Sequence, residues 1–175
     1  MKTITFSLSP ESIAKACNEL DWYKKTIERK TKQLQKRIAE RIQWSAQSGF
    51  ATAVRDDLLS AGTRYADVTV TISEEGDTTV VIANGEDAVF VEFGAGVHHN
   101  GSVGQSPNPF VAENNLEFTI GSYDKGHGSQ DIWGFKEDGR IILTYGTPAS
   151  MPMYHGLQDA LNDLVNIANE VFGND

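Results

Sequence analysis

A chain of 175 residues, 39% hydrophobic and 22% charged, holds enough apolar material for one domain with a core, which argues against wholesale disorder. Its one cysteine, Cys17, excludes an internal disulfide framework and a cysteine-rich zinc site, and no apolar run reaches the length of a signal peptide or a membrane span. The net charge of −9 is unevenly spread: residues 1–47 carry ten Lys/Arg against five Asp/Glu, and residues 48–175 carry five against nineteen. Such a split suits head-to-tail attraction between copies, or a basic face offered to nucleic acid.

Residues 3–8 alternate and predict a short edge strand. Ser9-Pro10-Glu11 then starts a helix, with a serine N-cap, proline at the first helical position and an acid near the positive end of the dipole. Ile13, Cys17, Leu20, Tyr23, Ile27, Leu34, Ile38 and Ile42 recur at helical spacing, so Cys17 reads as a small core residue on an apolar stripe. An unbroken helix over 10–48 would measure about 58 Å. That length predicts a kink near residues 26–31 or a helix that projects and needs a partner.

The middle of the chain reads as sheet. Val68, Val70 and Ile72 alternate with Thr69, Thr71 and Ser73, and Gly76 closes a turn into a second strand over 78–83. Asn84-Gly85 is a tight-turn pair. Residues 88–93, AVFVEF, alternate and predict a third strand running into a Gly-, Ser- and Asn-rich loop over 94–130. Residues 131–136 and 140–145 read as a further hairpin closed by Glu137-Asp138-Gly139. A final amphipathic helix carries Leu157, Leu161, Leu164, Ile167, Ala168 and Val171. The expected architecture is one α+β domain over 1–175: a helical region at 1–48, an antiparallel sheet at 66–146 containing the long loop, and a C-terminal helix at 151–173.

Templates for chemistry fail on missing partners. His98, His99, His127 and His155 show neither an HExxH helix nor zinc-finger spacing. The glycines at 94, 96, 101 and 104 lack the Gly-Lys-Ser/Thr of a phosphate loop, and no GxSxG elbow is present. Their economical role is backbone freedom where the chain leaves the sheet. Acidic pairs such as Glu74-Glu75 and Glu86-Asp87 fall in turns. No catalytic residue, metal ligand or cofactor is therefore assigned. Two other readings are carried: a metal-dependent hydrolase using the loop histidines, and a nucleic-acid-binding accessory protein using the basic helix.

Four pieces, in order, resemble the tail-completion (head–tail joining, or neck) proteins of long-tailed bacteriophages. They are the Ser9-Pro10-Glu11 helix start with Leu20 and Tyr23-Lys24-Lys25; Val91-Glu92-Phe93-Gly94-Ala95-Gly96, where the family reads V-E-F-G-T-G; Tyr123-Asp124-Lys125-Gly126-His127-Gly128 before Trp133-Gly134-Phe135; and Thr144-Tyr145-Gly146-Thr147-Pro148-Ala149-Ser150-Met151-Pro152-Met153-Tyr154. Ala95 stands where threonine is usual, and Tyr145 where a basic residue is common. The resemblance implies a non-enzymatic virion component, made in the bacterial host cytoplasm and placed in the tail or neck. Its implied partners are further copies of itself in a ring, head-completion or connector proteins, and tail-tube or tail-terminator proteins. From the residues themselves, with no membrane-length apolar run and with Glu28 and Glu40 among the basic residues of the helix, no membrane and no specific nucleic-acid partner is expected. The expected assembly residues are Glu92, Phe93, Gly94, Gly96, His98 and His99 with Lys24, Lys25 and Arg29.

Overall fold

The computed structural model describes residues 4–55, 64–94, 104–106, 108–114, 119–120, 133–144, 147 and 149–173. In chain order the elements are α1 (Pro10–Thr52), β1 (Val54–Arg55), β2 (Arg64–Tyr65), β3 (Thr69–Glu75), β4 (Thr78–Asn84), α2 (Ala88–Phe93), β5 (Gly104–Gln105), α3 (Pro109–Glu113), β6 (Thr119–Ile120), β7 (Trp133–Glu137), β8 (Arg140–Thr144) and α4 (Pro152–Phe172). This is the expected α+β arrangement: a long first helix, antiparallel strands and a last helix. Among the described residues the strands pair as four two-stranded antiparallel ladders rather than as one sheet.

The chain forms two compact units, one of residues 1–38 and 163–175, the other of residues 39–162. Helices α1 and α4 each contribute to both. The larger unit is built on a core of Ala46, Phe50, Ala53, Val68, Val70, Ala88 and Val91, with Val81, Ala83 and Met153 packed against it. Phe50 and Ala46 are wholly buried. Small residues let α4 approach α1 closely: a Cβ on Gly156 would lie 3.0 Å from the Ile42 carbonyl oxygen and 3.2 Å from the Ala46 nitrogen. Ser45 Oγ donates to the Asp159 carboxylate beside this crossing.

The β3–β4 hairpin has the register expected of its alternation, Val70 opposite Ala83 and Ile72 opposite Val81, and turns at Gly76, whose φ of 65° favours glycine. The β7–β8 hairpin turns through Asp138 and Gly139, both at positive φ, as a two-residue turn matched to strand twist requires. On the outer side of β3, Gln47 accepts from the Val70 N–H at 2.7 Å and donates to the Val68 carbonyl at 3.0 Å, while Gln43 donates to the Val70 carbonyl at 2.8 Å. One edge of the hairpin is thus satisfied by two amides a single helical turn apart on α1.

In the smaller unit, Arg37 pairs with Glu170 at 3.0 Å, both half exposed, and Lys30 lies 5.7 Å from the Phe172 ring centroid. Ile167 and Val171 of α4 are buried.

Four expectations need correction. Residues 88–93 are helical, not a strand. Ala88, Val91 and Glu92 are buried, at offsets of three and four, while Val89 is exposed. Six alternating residues satisfy either period, and tertiary contacts at Val91 and Glu92 select the helix. Residues 4–8 form no strand in this chain. Region 94–130 is more than a loop: Asn108 caps α3 by accepting from the Phe110 N–H at 3.0 Å, with Pro109 at N1, and β5 pairs with β6. Cys17 is exposed, as are Leu20, Tyr23 and Ile27. Periodicity reports which residues share a face; it does not report whether that face is covered. Helix α1 runs through residues 26–31 without a break.

Candidate functional site

Glu92 is the residue around which the larger unit closes. It is only 7% exposed, yet carries a carboxylate. Oε1 accepts from Asn108 Nδ2 at 2.8 Å and from the Tyr154 N–H at 3.1 Å, and Oε2 accepts from the Met153 N–H at 2.8 Å. A buried charge is tolerable only when its lone pairs are met by such donors. The backbone donors are those of the first turn of α4, where helical N–H groups have no partner of their own. Pro152 has no N–H to satisfy, and the His155 N–H reaches the Met151 carbonyl. The first turn is therefore completely capped, and the carboxylate also sits at the positive end of the α4 dipole.

The same knot ties in α3. Ser106 Oγ donates to the Phe93 carbonyl at 2.6 Å, and Asn108 uses its amide nitrogen on Glu92 and its amide oxygen on α3. Ser150 N–H donates to the Val91 carbonyl at 2.8 Å. Gly94 ends α2 with φ 84° and ψ 156°, a conformation that favours glycine, and its N–H closes the helix on Phe90. The backbone freedom expected of the glycines here is used at Gly94, but to end a helix rather than to leave a strand.

Beside this knot lies an apolar groove of about 650 Å³. Its walls include Ile42, Phe50, Phe93, Phe110, Met153 and Leu157, with Glu92 and Asn108 as polar contributors. Five consecutive residues of β4, 79–83, line it. Side chains of successive strand residues alternate faces, so five in a row means that the strand presents its edge to the groove. The hydrogen bonds agree: Val70 spends its backbone groups on Gln43 and Gln47, away from β4, so its opposite number Ala83, and with it Val81 and Thr79, point their N–H and C=O groups outward. Among the described residues these groups take no hydrogen bond, and β4 has no neighbour but β3.

The expected site residues fall into three sets. Glu92, Phe93 and Gly94 come together on α2 and its C-cap. Lys24, Lys25 and Arg29 lie exposed on α1 in the smaller unit, with Lys24 4.0 Å from Glu28. Gly96, His98 and His99 lie outside the described residues, as does His127. His155 is exposed and meets Tyr154 edge to face at 5.6 Å. Among the described residues no three His, Cys, Asp or Glu side chains gather as a metal site, and no helix is long and apolar enough to cross a membrane.

Sequence reasoning missed Asn108, Gln43 and Gln47. The Asn108-Pro109 pair is itself a helix-start signal and could have located α3. Compared with protein-family models, with curated proteins and with solved structures, the chain matches none.

Proposed function

We propose that the chain is a non-enzymatic structural protein of a tailed phage or prophage, joining tail to head connector through ring-forming protein–protein contacts. The observation that carries this reading is the apolar groove with an open strand edge, held in shape by the Glu92 knot. Glu92 is the one ionisable side chain of a carboxylate or amine among the groove residues, and its oxygens are spent on three donors that stabilise the fold. A groove of this kind favours an apolar polypeptide surface as its occupant. Exposed Leu20, Trp22 and Tyr23 on α1 and Leu161 on α4 add apolar surface of the same character. The basic first quarter and acidic remainder supply head-to-tail complementarity, which a closed ring needs.

In this role the partners are further copies, the head-completion or connector protein, and the tail-tube or tail-terminator protein, and the protein resides in the virion. The test is a deletion in the encoding phage or prophage, with particles viewed by electron microscopy and virion proteins identified by mass spectrometry. Filled heads and finished tails that fail to join, rescued by the gene in trans, are expected. Infectious particles of normal form that lack the protein would overturn the reading.

A further inference from the structure

The groove's open edge calls for a strand, and the chain carries a spare one. Residues 4–8, Ile-Thr-Phe-Ser-Leu, have the alternation of a half-buried strand, yet form none in their own chain. Phe6 is 61% and Leu8 90% exposed, although both are large and apolar. The segment is anchored at its C-terminal end: Ser9 Oγ accepts from the Ser12 N–H, and Ser12 Oγ accepts from the Ser7 N–H at 2.9 Å. With the Ser7 N–H spent, an extended arm keeps the main-chain groups of Ile4 and Phe6 for another strand, because successive residues of a strand point theirs to opposite sides.

We propose that residues 4–8 of a second copy add to the outer edge of β4, seating Ile4, Phe6 and Leu8 in the groove. Three observations choose this occupant. The lengths agree: five arm residues span about 17 Å, as do the five β4 residues 79–83 that line the groove. The chemistry agrees: an apolar face goes into an apolar groove, and the outward N–H and C=O groups of Thr79, Val81 and Ala83 receive ladder partners. The charges agree: the arm follows Lys2 and precedes the basic half of α1, whereas β4 is flanked by exposed Glu74, Glu75, Asp77 and Glu86. The other edge of the hairpin is closed by Gln43 and Gln47, so addition has one direction, and each copy both gives an arm and receives one. That is a heterologous contact, which closes into a ring when the rotation between copies allows.

The proposal deepens the assembly reading by naming the contact, and the two can fail separately. The experiment uses the full-length chain. Sedimentation equilibrium is run on the wild type, on Phe6→Asp at an exposed position and on Thr79→Pro, whose N–H lies outside the β3–β4 ladder. Far-UV circular dichroism establishes that each variant is folded. Self-association by the wild type, weakened about tenfold or more by either substitution, is expected. A photo-cross-linker in place of Phe6, in a mixture of isotope-labelled and unlabelled chains, is expected to give inter-chain products at residues 79–83 or Phe110. A wild type that stays monomeric at about millimolar concentration, association untouched by Phe6→Asp, or cross-links confined to one chain would each overturn the proposal. Should Phe6→Asp phage still join heads to tails with the protein incorporated, the arm contact fails while the virion role stands.

Discussion

Replacing Glu92 by alanine tests whether the carboxylate holds the larger unit together. The substitution leaves Asn108 Nδ2 and the backbone N–H groups of Met153 and Tyr154 without their acceptor, at a site where Glu92 is 7% exposed and Asn108 only 1%. A hydrogen bond to a charged partner contributes about 1.5–3 kcal/mol, and bonds sharing one acceptor group are not additive. The expected loss is therefore about 4 kcal/mol, a large share of the 5–15 kcal/mol typical of a folded domain. At about 2–4 °C per kcal/mol for a chain of this size, Tm falls by roughly 8–16 °C. Glu92→Gln separates shape from charge. Its oxygen can serve two donors, but its NH₂ then faces the third, so a loss of about 2 kcal/mol is expected. Urea unfolding followed by far-UV circular dichroism measures both, with Glu86→Ala, on an exposed neighbour, as a control within about 0.5 kcal/mol of wild type. A Glu92→Ala protein within about 1 kcal/mol of wild type, or a Glu92→Gln protein equal to it, would refute the argument that α4 is fixed from α2.

Three further outcomes follow from the same geometry. Gly85→Ala is expected to be the more damaging of the glycine substitutions, because a Cβ there would lie 2.1 Å from the Asp67 carbonyl oxygen and φ is 145°; soluble yield should collapse, whereas Gly76→Ala, with open space around it, should cost only about 1–2 kcal/mol by thermal melt. Gln47→Ala removes acceptor and donor from Val70 N–H and Val68 C=O, with an expected loss of about 1–2 kcal/mol and a rise in light scattering on heating, as the second hairpin edge opens. Arg37→Ala should shift stability by less than about 1 kcal/mol, and less still in high salt, since its ion pair with Glu170 is half exposed; a larger loss by urea titration would show that this pair is shielded from solvent.

Local signals located much of this fold because they act over a few residues. Ser9 caps α1 through the Ser12 N–H, Asp138-Gly139 supplies the two positive φ values of its turn, and the Val68–Ile72 alternation delivers the hairpin register. The reading of AVFVEF failed for the opposite reason. Its helical form is fixed by partners at 108, 150, 153 and 154, none of which leaves a trace in the six residues themselves. Glu92 was legible as a residue of interest, but not as a buried cap, because nothing local marks a glutamate as the acceptor for another helix's first turn. Cys17 shows the converse limit, since a helical stripe without a covering surface reads like one with it. The strand edge of β4 was equally hidden, as it emerges only once Gln43 and Gln47 are seen to occupy the other side.

The bond from the Met153 N–H to Glu92 Oε2 spans 61 positions of sequence. It pins both ends of the intervening chain to one point, so the geometry of α2 and α4 does not depend on how many residues lie between them. Doubling such a loop costs only about 0.6 kcal/mol of closure entropy, well under what the pinning bonds supply. The clasp thus sets the approach of α4 to α2 directly, with Asn108 the intervening residue that shares the same carboxylate.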